Sequence, residues 1–265
     1  MNVPTAVDGV TPEQGTNKSA DRTLTVLEHL AGARRRLTLA ELAAALGIPK
    51  SSLHGLLRTL KARGWVSTDE SGLRFGLGVR ALLVGTSYLA TDDIVLLADR
   101  HLDELNATLA ETVHLGRMDA DQIVYLAKKD APHPLRLVSM VGGRLPSHAT
   151  AMGKALLAEL SDGAVAARLP ARLAKLTEHT ITSRSALLGE LATIRRQGYS
   201  EDREESSDGV VCVAVAVPTT RPAAYAISCS VPVTRMTTEA RTRVVSAVSA
   251  AVRALADEWR LTAVR

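Results

Sequence analysis

Residues 38–63 read TLAELAAALGIPKSSLHGLLRTLKAR, and the fold turns on this stretch. Leu39, Leu42, Ala43 and Leu46 fall at i, i+3, i+4 and i+7, and Leu53, Leu56, Leu57 and Leu60 repeat that spacing. Each set makes one apolar face of an α-helix. Between them stands Gly47-Ile48-Pro49. Glycine suits the left-handed position that ends a helix, and proline suits the first turn of the next. Two helices joined by so short a turn cross rather than run antiparallel, which predicts a helix-turn-helix.

The second of these helices has the composition of a DNA reader. Opposite its apolar face it carries Lys50, Ser51, Ser52, Gly55, Arg58 and Thr59, with Lys61 and Arg63 near its end, and no acidic residue occurs over 50–64. Small hydroxyls and a glycine permit close approach to a groove, and Arg58 can reach a guanine edge or a phosphate. An ordinary amphipathic helix with a solvated basic face has the same spacing, and the flanking chain separates the two readings. Upstream, Leu24, Leu27, Leu30 and Ala31 predict a helix over 21–32, capped by Ser19 or Asp21. Arg34-Arg35-Arg36 follow as a basic loop, a solvated turn that can also touch phosphate. Downstream, Trp65 and Val66 start an extended piece, residues 69–72 form a turn, and Leu73, Phe75 and Leu77 alternate with Arg74 and Gly76. Three helices and a hairpin in this order predict a winged helix, with Arg74 on the wing beside the sugar-phosphate backbone.

Charge supports a polyanion partner for this region. Of a net charge of +4 over 265 residues, residues 21–83 hold ten Lys/Arg against five Asp/Glu, whereas residues 84–265 hold 21 of each. Hydrophobic residues make up 46% of the chain but aromatics only 3%, so Leu, Val and Ala must fill the cores. Cys212 and Cys229 form no metal-type cluster or disulfide framework, which leads us to expect reduced thiols in a cytoplasmic protein. The longest apolar runs, such as VVCVAVAV, are too short to cross a bilayer, so no membrane partner is expected. The first twenty residues lack the basic and apolar regions of a signal peptide, and residues 1–18 read as a mobile tail.

Beyond the wing, Val79, Leu82, Leu83 and Leu89 predict a linker helix over 79–91, and the domain boundary is placed there. Thr91-Asp92-Asp93 breaks and recaps the pattern before a helix striped by Ile94, Leu97, Ala98, Leu102, Leu105 and Leu109. Residues 113–118 and 122–128 read as a hairpin about Asp119-Ala120-Asp121, residues 135–141 as another strand, and residues 142–146 as a loop. A helix follows over 150–160, and a second runs from a Ser183 cap to Gln197, ended by Gly198. The β-branched run 210–217 predicts a central, doubly covered strand, and residues 223–230 return antiparallel to it. Val244, Val245, Val248, Val252, Leu255 and Trp259 stripe a last helix over 238–260. The expected class is α+β: a winged helix-turn-helix over 19–78, a linker helix, and an α/β domain over 92–265 built on an antiparallel sheet.

With these segments in place, the chain resembles the IclR family, bacterial regulators related to the isocitrate-lyase regulator. SADRTLTVLEHL resembles the family's opening helix, and LTLAELAAALGIPKSSLHGLLRTLKARGWV its winged helix-turn-helix. GGRLPSHATAMGKALLA, GYSEDREESSDGVVCVAVAVP and AAYAISCSVP resemble, in order, its central motif, the run into its late central strand, and the next strand. The last motif departs from the family pattern in carrying Val231, where Gly often precedes the final Pro. The resemblance implies a homodimeric or tetrameric transcription regulator whose GAF-like C-terminal domain binds a small metabolite while its N-terminal domain binds operator DNA. Two-fold dimers would read pseudo-palindromic half-sites. By match to the family's ligand pocket, Ala151 and Met152 at a helix start, Asp202, Cys212, Ser228 and Ser230 as polar wall, and Leu145 and Val210 as apolar wall are the effector residues.

The chemistry of these residues is consistent with that assignment. A helix start preceded by a loop presents backbone N–H groups to a carboxylate. Ser228 and Ser230 stand two apart on one strand, as do Val210 and Cys212, so each pair shares a face. Bland readings exist for each: Cys212 as a small buried hydrophobe, the two serines as edge residues, and Glu201 to Glu205 as a solvated acidic face. Lys154 reads as structural or exposed. The runner-up function is an enzyme that attacks a small acid with Cys212, with His148 as base. His114 and His148 with Cys212 or Cys229 lack zinc spacing, and no cofactor or metal is expected. Whether the regulator represses or activates depends on promoter geometry.

Overall fold

Asn17 starts the first helix, α1 (Lys18–Gly32), its side chain accepting from the amides of Ser19 and Ala20 at 3.0 and 3.2 Å. The cap is thus Asn17, not Ser19 or Asp21, and the helix turns Val26 and Leu30 into the core while Leu24 is exposed. The computed structural model describes residues 17–33, 35–133 and 139–262. The chain divides into two units, Met1–Leu89 and Ala90–Arg265.

In the first unit, β1 (Leu37–Thr38) runs into α2 (Leu39–Leu46) through a capping box in which Thr38 and Glu41 satisfy each other's backbone and side-chain groups. Gly47 adopts the left-handed conformation at φ 63°, and α3 (Lys50–Ala62) begins after Pro49. Leu42, Ile48, Leu53, Leu57 and Leu60 close the corner of the helix-turn-helix against Val26 and Leu30 of α1. β2 (Val66–Thr68) and β3 (Arg74–Leu77) form the wing. The wing has a third strand that alternation could not reveal, because β1 pairs with β3 over only two residues. The next helix, α4 (Val79–Thr91), buries none of its side chains.

In the second unit, Asp92 caps α5 (Asp93–Leu109). The sheet strands are β4 (Thr112–Asp119), β5 (Gln122–Lys129), β6 (Arg144–Pro146), β7 (Ser200–Arg203), β8 (Val210–Val217) and β9 (Tyr225–Pro232), in the antiparallel order β6-β5-β4-β9-β8-β7. Helices α6 (Ala151–Ala158), α7 (Asp162–Arg168) and α8 (Arg184–Gln197) follow β6, and α9 (Thr238–Thr262) closes the chain. α6 packs on the face of the sheet that carries Ile123, Tyr125, Cys212, Ala214 and Ala226. α5 and α9 pack on each other, and α9 also packs on β8, so β8 is covered as its β-branched run predicts.

Several expectations are corrected here. The expected strand over 135–141 lies outside the described residues at 134–138, and Ser139, Met140 and Val141 are not strand. The edge strand is instead β6, inside the expected loop over 142–146, where Leu145 pairs with Ile123. The acidic run is not a solvated face: residues 200–203 form β7, and Glu201, Asp202 and Glu205 are buried. Val231 leaves the local turn intact; it continues β9 opposite Val211, and the strand ends at Pro232. Among the described residues no single helix is long and apolar enough to cross a membrane.

Candidate DNA-reading face and effector site

Burying Leu53, Leu57 and Leu60 turns the opposite side of α3 outward. Lys50, Ser51, Arg58 and Thr59 are exposed, Ser52 and Gly55 are half-buried beside them, and His54, not singled out from the sequence, is exposed among them. The Thr59 hydroxyl donates to the Gly55 carbonyl at 3.1 Å, so it stays close to its own helix. Neither Lys50 nor Arg58 makes an ion pair among the described residues, and an unpaired cation is available to a phosphate or a base edge. Arg74 is exposed at the start of β3. Of the basic loop, Arg34 lies outside the described residues and Arg35 pairs with Glu41 at 3.0 Å.

In the second unit, antiparallel register places the polar residues in rows. Asp202 of β7 stands opposite Cys212 of β8, and Cys212 stands opposite Ser230 of β9. The next row on the same face is Ser200, Ala214, Ser228 and His114. The Cys212 thiol donates to Ser230 Oγ at 3.1 Å. Above these rows, Thr150 caps the amide of Gly153 at 3.1 Å and leaves the amides of Ala151 and Met152 as the first-turn donors of α6. Ser200 ties that turn to the sheet by donating to the Ala151 carbonyl. Met152 lays its thioether over Gly116 and Ile123, and Leu145 and Val210 pack half-buried on the same cluster. All eight expected effector residues therefore lie on or over one face of the sheet.

Asp202 is less available than its position suggests. One of its oxygens accepts from the amides of Glu205 and Ser206 at 2.7 and 3.2 Å, and the other from the Ser206 hydroxyl. Burial raises its carboxyl to about 6 in spite of these bonds. The turn it holds delivers Glu205 to Lys154, which is only 1% exposed and forms a buried ion pair with it. Lys154 is thus structural and interior. Sequence reasoning missed two residues of this face. Tyr125 packs with Met152 and Cys212, and His114 lies in the Ser228 row and contacts the Tyr125 ring at 4.8 Å between centroids. The register across the β4–β5 bulge at Leu115/Gly116, which brings them together, carries no signal in the sequence. A cleft of about 510 Å³ opens elsewhere, lined by Glu111, Arg235 and Arg243 among others and by none of the eight.

Nucleophilic chemistry finds no support here. Burial pushes the Cys212 thiol well above its ordinary value, Asp202 adds to the shift, and His148 is engaged by the Ala174 carbonyl at 2.9 Å. Among the described residues no cluster of His, Cys, Asp or Glu could hold a metal ion. We expect both thiols of the folded chain to resist iodoacetamide at neutral pH and to react on unfolding. Rapid alkylation of native Cys212 in a mass-spectrometric time course would contradict its burial.

Comparison with known proteins fixes the family. Residues 19–70 match the IclR helix-turn-helix domain, and residues 86–257 match the C-terminal domain of bacterial transcriptional regulators of the IclR type. The chain belongs to the IclR family. It is 34% identical over 229 residues to the HTH-type transcriptional regulator KdgR of Dickeya chrysanthemi, covering 86% of this chain and 75% of that one. It is 33% identical over 230 residues to the transcriptional repressor IclR of Escherichia coli K12, covering 85% and 84%. In fold it matches an IclR homologue from Microbacterium hydrocarbonoxydans crystallised with 4-hydroxybenzoate, at a TM-score of 0.78, 20% identity and 92% and 99% coverage. IclR relatives of this kind are regulators, so the chain is a DNA-binding transcriptional regulator and not an enzyme.

Proposed function

We propose that this IclR-family regulator is a homodimer that grips a pseudo-palindromic operator with two α3 faces and is switched by a small carboxylate. The observation that carries the DNA reading is the unpaired basic face of α3, where Lys50, Ser51, Ser52, Gly55, Arg58 and Thr59 meet the groove while Arg74 of the wing lies along the backbone. In this reading residues 19–78 are the operator-binding domain, 79–91 the linker and 92–265 the effector domain of a cytoplasmic protein. Dimerisation is supported by α4, which exposes Val79, Leu82, Leu83, Val84 and Tyr88, with Leu82 64% exposed. A helix this apolar and this open suits a second copy of itself, and a two-fold pair of reading heads needs one such joint.

The effector is held between the first turn of α6 and the polar rows of the sheet. The Ala151 and Met152 amides meet its carboxylate, Cys212, Ser228 and Ser230 its polar atoms, and Leu145 and Val210 its carbon skeleton, with Asp202 supporting the wall. The Microbacterium relative, crystallised with an aromatic carboxylate, supports this class of ligand. Binding there shifts the operator affinity of the first unit.

Fluorescence anisotropy against the DNA upstream of the coding region, at two salt concentrations and with scrambled competitor, tests the reading. Tight, competitor-resistant binding that weakens with salt is expected, together with release or tightening by a metabolite carboxylate. Arg58→Ala should cost about 1–3 kcal/mol at the operator if it reads a base, and Lys50→Ala should weaken all sequences alike. Binding without sequence preference would reduce α3 to a basic patch.

A further inference from the structure

His114 is 0% exposed, and its Nδ1 has no hydrogen-bond partner. A buried polar nitrogen left unmet is costly, so such an atom invites a ligand group. Its surroundings define what that group is. Nε2 is held by the Ser139 hydroxyl at 2.7 Å, and Lys128 fixes that residue by donating to the Ser139 carbonyl at 3.0 Å. Lys128 is itself paired with Asp130 at 2.7 Å. One ring face leans on Tyr125, and His114 is the direct cross-strand partner of Ser228.

We propose that His114 is a specificity-determining residue of the effector site and that the effector is a hydroxylated carboxylic acid whose hydroxyl meets Nδ1 beside Ser228. The inference rests on the carboxylate reading above and extends it to the ligand's other end. Burial, reinforced by Lys128, holds the imidazole down at about 3, so it is neutral and offers no positive charge to a second carboxylate. A neutral imidazole held at Nε2 by a hydroxyl has two tautomers, one presenting Nδ1 as donor and one as acceptor. A ligand hydroxyl satisfies both; a carbonyl satisfies only the first. The Ser228 hydroxyl stands in the same row to take the second bond of that hydroxyl.

Matched acid pairs titrated calorimetrically into the full chain test this: 4-hydroxybutyrate with butyrate, lactate with propionate, and gluconate with hexanoate. The hydroxylated member of at least one pair should bind about tenfold tighter or better. His114→Leu should bring that ratio to about one, and His114→Asn, which keeps a hydrogen-bonding side chain, should retain part of it. Carboxylates that bind with no gain from the hydroxyl, or a gain that survives His114→Leu, would overturn the proposal and leave the carboxylate reading standing. Binding by no member of any pair would overturn both. Should His114→Leu fail to fold, the ¹⁵N resonance of His114 Nδ1 in the wild-type chain decides. It should shift with the hydroxy acid and not with the plain acid, and an equal response to both rejects the role.

Discussion

Gly153→Ala should unfold the second unit under conditions where the parent chain is native. A Cβ at position 153 would stand 2.1 Å from the Ser147 carbonyl oxygen, 2.3 Å from its Cα and 2.5 Å from its carbonyl carbon. These are backbone atoms of the short 3-10 turn Ser147–Ala149, which is wholly buried, so no side chain can swing aside. The helix must lift from the turn or slide along the sheet, and either motion breaks the Ser200 to Ala151 hydrogen bond and strains the Lys154–Glu205 pair. Overpacking of this kind costs about 3 kcal/mol or more. Urea unfolding followed by circular dichroism reads it as a lower midpoint. A variant with the parent's midpoint would show that α6 does not press on Ser147. The effect has a functional side, because the same first turn presents the Ala151 and Met152 amides.

The second large effect is expected at α4. Leu82→Glu with Leu83→Glu places two charges on a helix that buries none of its own side chains, so the isolated fold should not suffer. If the apolar side of α4 joins two copies, the double variant becomes a monomer by sedimentation. Each reading head then binds its half-site alone. Losing the tether between heads removes an effective concentration on the order of millimolar and weakens palindrome binding by about a hundredfold or more. Binding to a single half-site should be unaltered. A double variant that remains dimeric and keeps full operator affinity would place the interface elsewhere.

The first unit was legible because its signals are local. Gly47 at a left-handed φ, the two apolar quartets and the Arg74 hairpin each lie within a few residues of the partners that decide them. The missed β1 is two residues long and owes its strand geometry to β3, some forty positions onward. In the second unit α5, α6, α8, α9 and the Val-rich strand were readable for the same reason, whereas the short α7 was not expected. β7 was not, since Ser200-Glu201-Asp202-Arg203 reads as polar chain. It is a strand because Arg241 and Arg203 neutralise Glu201, while Asp202 turns inward to hold its own loop. Lys154 illustrates the limit most plainly: its interior place depends on Glu205, fifty-one residues later. The residues of the proposed effector wall were carried over by resemblance, but placing His114 and Tyr125 on the same face needed the register across β4, β5 and β9.

Cys212 and Cys229 occupy neighbouring strands, one opposite Ser230 and the other opposite Val213. Strand alternation therefore sends the two sulfurs to opposite sides of the sheet. A bond between them would require their Cβ vectors to converge, which the pleat forbids without breaking the β8–β9 ladder. An oxidative burst cannot lock this chain by an internal crosslink.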